Sequence, residues 1–256
     1  MSTTVTKNDI ILALHQFSLT AGDAVEVHSS LSSMGHVEGG PEAVIVALMD
    51  VVGEDGAIVM SAHKVSLPYP PTEEEAAEGM LNRVWMYGEN DEGFKSGMGI
   101  VADTFRDRED TLLGTGLHRV CAWGKDAKQH AKGYQHLVDI DGWVLLIGVD
   151  IHTCSSMHLV EWGTKPQEVK DYHQTPQHLL DRYPLPNWWV EFRDPDKPPL
   201  DDAWGKVFVE ADRRGLVQRG KIGDADCLLF KAKVMTELHH QWLVEDGLGL
   251  YGLEQV

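Results

Sequence analysis

The stretch GWVLLIGVDIHTCSSMHLVEW, residues 142–162, constrains the chain most, because an apolar run ends abruptly in nucleophilic and titratable side chains. Residues 143–149 are too few to cross a membrane and rich enough in branched side chains for a strand buried on both faces. After Asp150 come His152, Thr153, Cys154, Ser155 and Ser156, any of which can cap a helix begun by Met157, His158, Leu159, Val160, Glu161 and Trp162. Ser155 and His158 then stand three residues apart on one face of its first turn. Open α/β sheets bind ligands beyond the carboxyl ends of their strands, so a hydroxyl and an imidazole there suit acid–base work. On this stretch alone the plainer reading prevails: Ser155 is an N-cap and His158 a satisfied core histidine.

A chain of 256 residues can bury a sizeable core, and no long Pro, Gly or Ser tract divides it, so one domain over 1–256 is expected. The net charge of -18, from 22 Lys plus Arg against 40 Asp plus Glu, argues against nucleic acid and anionic membranes as partners and favours a cationic ligand. An acidic surface that merely keeps the protein soluble is the commoner cause of such a charge. Cys121, Cys154 and Cys227 are odd in number and widely spaced, which indicates neither a disulfide framework nor a zinc ribbon. The opening residues MSTTVTKND lack an apolar signal region, and a cytoplasmic location is expected.

Thr6 with Asp9 has the form of a capping box, and Ile10, Ile11, Leu14 and Phe17 give helical spacing. Residues 24–28 form a short strand that empties into HSSLSSMGHVEGG, before Pro41 at a helix N1 position starts PEAVIVALMDVV. A hydroxyl- and glycine-rich loop feeding a helix offers N–H groups and a positive dipole end to an anion, or is simply a flexible connection. A second strand follows at 56–61. From about 63 to 96 the chain is irregular, with Pro68, Pro70, Pro71 and the run Glu73, Glu74, Glu75, and reads as a lid-like insertion. Gly97, Gly99 and Ala102 match a dinucleotide pattern, but no strand precedes them, so the segment is read as an amphipathic helix carrying Met98, Val101 and Phe105. Strands at 118–123 and 188–192 and helices near 126–132, 202–214 and 232–244 complete an α/β pattern, with late antiparallel edges. Asp194, Asp196, Asp201 and Asp202 crowd one downstream loop, a pattern most often found in solvated surface.

VEVHSSLSSMGHVEGGPEAVIVALMDVVGEDGAIVMSA, SGMGIVADTF, HRVCAWGKDAK, DGWVLLIGVDIHTCSSMHLVEW and RGKIGDADCLLF together resemble the aminoglycoside 3-N-acetyltransferase family, in the same order over most of the chain. The resemblance implies the antibiotic N-acetyltransferase fold, a three-layer α/β/α sandwich around a mixed sheet, unrelated to the GNAT acetyltransferases. It implies acetyl transfer from acetyl-CoA to an aminoglycoside, at the 3-amino group of the deoxystreptamine ring, with no metal, acting as a monomer or homodimer. The family's coenzyme loop falls on His28, Ser29, Ser30 and Leu31, with Ser32 and Ser33 following. Its Thr-x-x-His motif falls on Ser155 and His158, the latter as general base. Its downstream acidic residues, which orient that base and hold substrate ammonium groups, fall among Asp194, Asp196, Asp201 and Asp202. Two family segments are altered here, to LLGTGLHRV before His118 and to GYQHLVDIDGW before the central strand, which leaves the substrate range open.

The chemistry agrees with that resemblance. A sugar amine is largely protonated at neutral pH, so its attack on a thioester needs a base that accepts a proton near neutral pH, as an imidazole does, and His158 suits this. A carboxylate on its other nitrogen would stabilise the imidazolium, and Asp202 is taken first for that role, leaving Asp194, Asp196 and Asp201 to hold substrate. Ser155 is placed to stabilise the oxyanion, worth about 3 kcal/mol for such groups. Direct transfer in a ternary complex is expected, since nothing near Cys154 is built to activate a thiolate. The rivals are a metal-dependent hydrolase using His152, Cys154, His158 and Glu161, which lacks an HExxH spacing, and a serine hydrolase, which lacks GxSxG. A sequestering protein without turnover, and acetylation of some other small amine, complete the field.

Overall fold

The computed structural model describes residues 4–63, 67–86, 96–116 and 118–254. In chain order it forms β1 (Thr4–Val5), α1 (Lys7–Gln16), β2 (Ala24–Ser29), β3 (His36–Val37), α2 (Gly40–Val52) and β4 (Ala57–Ser61). Next come β5 (Leu67–Tyr69), α3 (Glu73–Ala77), β6 (Met80–Trp85), α4 (Ile100–Arg106), β7 (Leu112–Leu113), β8 (Val120–Gly124), α5 (Ala127–His130) and α6 (Gln135–Asp139). Then follow β9 (Trp143–Ile147), α7 (His158–Thr164), α8 (Gln167–Tyr172), α9 (Gln177–Arg182) and β10 (Trp188–Phe192). The chain closes with α10 (Ala203–Arg213), β11 (Gln218–Ile222), β12 (Ala225–Lys231) and α11 (Ala232–Leu250).

The main sheet has seven strands in the order β11-β12-β9-β2-β4-β8-β7. β9, β2 and β4 run parallel at its centre, while β12, β11, β8 and β7 continue it antiparallel on both sides. The alternation of side chains explains why WVLLI reads as an unbroken apolar run: Leu145 and Ile147 pack into one core and Val144 and Leu146 into the other. All four are fully buried, each contributing about 1.5–3 kcal/mol of transfer free energy. α1, α2 and α4 cover one face, and α6, α7, α10 and α11 the other, giving a three-layer α/β/α sandwich. Among the described residues no helix is long and apolar enough to cross a membrane.

Local signals set several boundaries. Thr6 and Asp9 close the capping box reciprocally, the Thr6 N–H donating to Asp9 Oδ2 at 2.8 Å. Asp202 caps α10 by accepting from the Gly205 N–H at 2.9 Å, and Ala203, Trp204, Val207 and Ala211 bury the helix's inner stripe.

The stretch expected as a lid-like insertion at 63–96 contains regular structure over most of its described residues. β5, β6 and β10 form a separate three-stranded antiparallel sheet, ordered β10-β6-β5. Glu75, part of the acidic run in that insertion, is buried beneath it. Its carboxylate accepts from the Thr72 N–H, Arg83 and Arg182 at 2.9, 2.9 and 3.1 Å, and from the Tyr183 hydroxyl. Arg182 and Tyr183 lie more than a hundred positions away in the chain, which is why the local run gave no sign of burial. Positions 64–66 and 87–95 of the expected insertion lie outside the described residues.

Candidate active site

The carboxyl ends of the three parallel strands bring the site together. β2 ends at Ser29, β4 at Ser61 and β9 at Ile147, and each hands the chain to a segment that borders one cleft of about 780 Å³. The Ser30 N–H donates to the Ile147 carbonyl at 2.9 Å, fastening the first segment to the last. His28, Ser29, Ser30, Leu31 and Ser32 line the cleft as the resemblance implies. Ser33 does not: its hydroxyl turns inward and donates to the Ser30 carbonyl at 2.6 Å, closing the turn. The wall continues to Val37 and stops short of α2, so the loop rather than the helix terminus faces the cleft.

Behind His28 lies a residue the sequence reading missed. Glu26 is wholly buried, and one carboxylate oxygen accepts from His28 Nε2–H at 2.7 Å and from the Ser156 N–H at 3.1 Å. A carboxylate inside an apolar strand is costly unless bonded, and here its bonds fix the His28 ring and the turn carrying Ser155. The signal was available, since a Glu alternating with apolar residues on a buried strand needs partners. Gly97 and Gly99 also border the cleft, at the entry to α4. Gly99 has φ +95°, which a side chain would strain, so the glycines belong to wall geometry and not to a dinucleotide fingerprint.

Between β9 and α7 the chain makes two tight 3-10 turns, Ile151–Thr153 and Ser155–Met157, before the helix begins at His158. Asp150 caps the first turn, accepting from the His152 N–H at 3.0 Å, and Ser155, expected as an N-cap, caps neither the second turn nor α7. The Ser155 hydroxyl is instead within 2.7 Å of Ser61 Oγ, which is 2.6 Å from the Tyr134 hydroxyl. Ser155 and His158 both border the cleft and both border a second, smaller cavity of about 150 Å³, whose walls include His63, His118, Tyr134 and Trp162. The pair therefore stands in the partition between two spaces.

His158 is held between aromatic rings, edge-on to Trp204 at 4.8 Å and parallel to Trp162 at 6.0 Å between centroids. Burial lowers its pKa, opposed by the Glu161 carboxylate, which raises it, and reinforced by His118 and Lys165; the net shift is downward from 6.5, so the ring is neutral at pH 7. His158 Nδ1 faces Glu161 Oε2 at 3.9 Å, an ion-pair distance longer than a hydrogen bond. A proton on Nδ1, the nitrogen facing that carboxylate, leaves Nε2 as the basic nitrogen. Glu161 is itself anchored by the Tyr251 hydroxyl at 2.7 Å and Lys165 at 3.4 Å. Neighbouring His63 is pushed down to about 4, first by burial and then by His118, His158 and His28.

The expected partner of His158 lies elsewhere. Asp202 accepts from His152 Nε2 at 2.9 Å while capping α10, and the fixed start of that helix turns its carboxylate toward His152. Burial would lower the His152 pKa, but Asp202 and Asp150 outweigh it and raise it. Nor do the other aspartates line either cavity. Asp194 pairs with Lys197 at 3.2 Å, its Oδ1 also accepting from the Asp196 N–H, and Asp201 pairs with Lys206 at 2.8 Å. The family resemblance placed them in the site, whereas the α8–β10 region and α10 hold them at the protein surface. Among the described residues no carboxylate lines either cavity. The metal-hydrolase residues also diverge: His152 is engaged by Asp150 and Asp202, Glu161 by Tyr251 and Lys165, and the buried Cys154 thiol by Ser156 at 3.3 Å. Burial raises the Cys154 pKa well above its ordinary value, so it is no thiolate nucleophile.

The arrangement was compared with known proteins. A family model described as aminoglycoside 3-N-acetyltransferase matches residues 27–244. The chain is 28% identical to the SPbeta prophage-derived aminoglycoside N(3')-acetyltransferase-like protein YokD of Bacillus subtilis (strain 168), over 94% of this chain and 93% of that protein. It is 25% identical to aminoglycoside N(3)-acetyltransferase III of Pseudomonas aeruginosa, over 91% of this chain and 92% of that one. A solved structure of AAC-IIIb, binary with CoASH, superposes with a TM-score of 0.70 at 19% identity, covering 99% of this chain and 100% of that one, and so shares its fold. With the family model spanning most of its length, this chain belongs to the aminoglycoside 3-N-acetyltransferase family of acyltransferases.

Proposed function

We propose that the protein transfers the acetyl group of acetyl-CoA to the 3-amino group of an aminoglycoside's deoxystreptamine ring, and thereby confers resistance. The observation that carries this reading is the position of Ser155 and His158 in the partition between the two cavities. The larger cleft, with the His28–Ser32 loop on its wall, accepts the coenzyme, as the CoASH complex of a family member supports. The acceptor amine enters from the smaller side. His158 Nε2 removes its proton as the nitrogen attacks the thioester carbon, the carbon–sulfur bond breaks, and coenzyme A leaves as thiolate. The Ser155 hydroxyl donates to the oxyanion of the tetrahedral intermediate. Both substrates are present together and no acetyl-enzyme forms.

The absence of carboxylates from the cavity walls, among the described residues, favours a second reading in which the natural acceptor is another small amine and antibiotics are incidental. One experiment separates the two. The protein is incubated with acetyl-CoA and a panel of aminoglycosides and simple amines, thiol release is followed, and the acetylated nitrogen is located by NMR. Selective acetylation of the 3-amino group supports the first reading; turnover confined to simple amines supports the second; release of thiol from none of them overturns acetyl transfer.

A further inference from the structure

The oxyanion role given to Ser155 requires its hydroxyl hydrogen to point into the cavity, yet its oxygen is tied to two other buried hydroxyls. Tyr134, Ser61 and Ser155 come from three separate parts of the chain and meet through contacts of 2.6 and 2.7 Å. All three are buried, so water is not freely available to complete their bonds. Three hydroxyls hold three hydrogens, and the two contacts consume two of them. The question is which hydrogen is left over.

Phenolic oxygen is a good donor and a poor acceptor, because its lone pair is delocalised into the ring. Tyr134 therefore donates to Ser61, Ser61 donates to Ser155, and the hydrogen left unengaged is that of Ser155, which borders both cavities. The opposite direction would use the Ser155 hydrogen within the chain and make the phenolic oxygen, the poorer acceptor, its end point. Burial, and then the nearby Glu26 carboxylate, raise the Tyr134 pKa, so the phenol keeps the proton that starts the chain. Each bond received also strengthens the next donor in line.

We propose that Tyr134 and Ser61 are positioning residues that orient and polarise Ser155 as the oxyanion donor. They act through the Ser155 hydroxyl: Ser61 lines neither cavity, and Tyr134 borders the smaller one while its hydroxyl engages Ser61 at 2.6 Å. The inference rests on the acetyl-transfer reading and extends it to residues that no Ser-x-x-His spacing identifies.

The test is a double-mutant cycle read in steady-state kinetics with acetyl-CoA and any amine the wild type acetylates. Tyr134→Phe keeps the ring and removes the donor, and is expected to lower kcat about tenfold, the effect of one neutral hydrogen bond, with KM for acetyl-CoA unchanged. Ser155→Ala should lower kcat by about 100-fold or more. In the Ser155→Ala background, Tyr134→Phe should cost nothing further. Independent, multiplicative losses would show that Tyr134 acts by some other route and overturn the proposal, as would full turnover in Tyr134→Phe. Ser61→Ala in the same cycle breaks the chain one link later and carries the test should Tyr134→Phe fail to fold. A wild type that acetylates no amine overturns the parent reading, and this one with it; an active wild type with multiplicative losses overturns the relay alone.

Discussion

Replacing Glu161 by Gln tests the assignment of acid–base partners directly. The substitution keeps the side chain's shape and its acceptance of the Tyr251 hydroxyl, but removes the negative charge 3.9 Å from His158 Nδ1. Two unit charges at that separation interact by about 1 kcal/mol in water and about 4 kcal/mol in a medium of effective dielectric 20. The His158 side chain is 44% exposed and that of Glu161 15%, so solvent screening places the interaction toward the lower figure, at about 1–2 kcal/mol. Because the carboxylate favours the protonated ring, its removal lowers the His158 pKa further. The acid limb of kcat/KM, where protonated His158 cannot accept a proton, should move to lower pH. At pH 7 the ring is neutral in both proteins, but the imidazolium formed during the reaction loses its partner, and kcat should fall about tenfold. Thiol release measured from pH 5 to 9 reads both effects. An unchanged limb, or a shift produced by Asp202→Asn and not by Glu161→Gln, would refute the assignment and restore Asp202 as the partner.

Three further outcomes follow from other parts of the structure. Ser30→Trp, which thrusts a ring into the larger cleft, should weaken acetyl-CoA binding in calorimetry by at least about tenfold while the acceptor's affinity holds; unchanged coenzyme affinity would remove the loop from the coenzyme site. Asp194→Asn and Asp196→Asn should leave acceptor KM within about twofold, since Asp194 is paired with Lys197 and both stand away from the cavities; a tenfold rise would return that loop to the acceptor site. Burial alone would raise the Glu75 pKa, but bonds from Tyr183, the Thr72 N–H and Arg182 and the charge of Arg83 hold it at about 2, against 4.5 for a free carboxyl. A depressed carboxylate stabilises the fold above the unfolded pKa, and that stability is lost as pH falls from about 4.5 through about 2. After screening it amounts to about 1–2 kcal/mol, so Glu75→Gln should speed hydrogen exchange in β5, β6 and β10 at pH 7; unaltered exchange there would contradict it.

Much of the scaffold could be read in the sequence because the signals were local. The run at β9, the Thr6–Asp9 box, Pro41 at the start of α2 and the antiparallel pair β11–β12 each declare themselves within a few residues. Ser155 and His158, proposed as the reacting pair, lie close in the chain and both border the two cavities. What the sequence could not show was partnership across the chain. Asp202 was assigned to His158 because both lie in the right order, yet the cap of α10 turns it to His152, while Glu161, three residues from the base, holds the electrostatic contact. Glu26, Ser61 and Tyr134 look like ordinary strand and helix residues until the parallel strands bring them beside the Ser155 turn. The 63–96 stretch was misjudged because its hydrogen-bonding partner, β10, arrives about a hundred residues later.

The partition formed by Ser155 and His158 has an evolutionary consequence. In the proposed reaction coenzyme and acceptor approach the reacting bond from opposite sides, and apart from His63 and the pair itself the two cavities share no described wall residue. Changes at His118, Lys132 or Trp162 alter the acceptor's surroundings without touching the His28–Ser32 loop. Such a layout lets a lineage trade one amine for another by remodelling a single compartment, while the half of the machine that recognises coenzyme A is inherited intact.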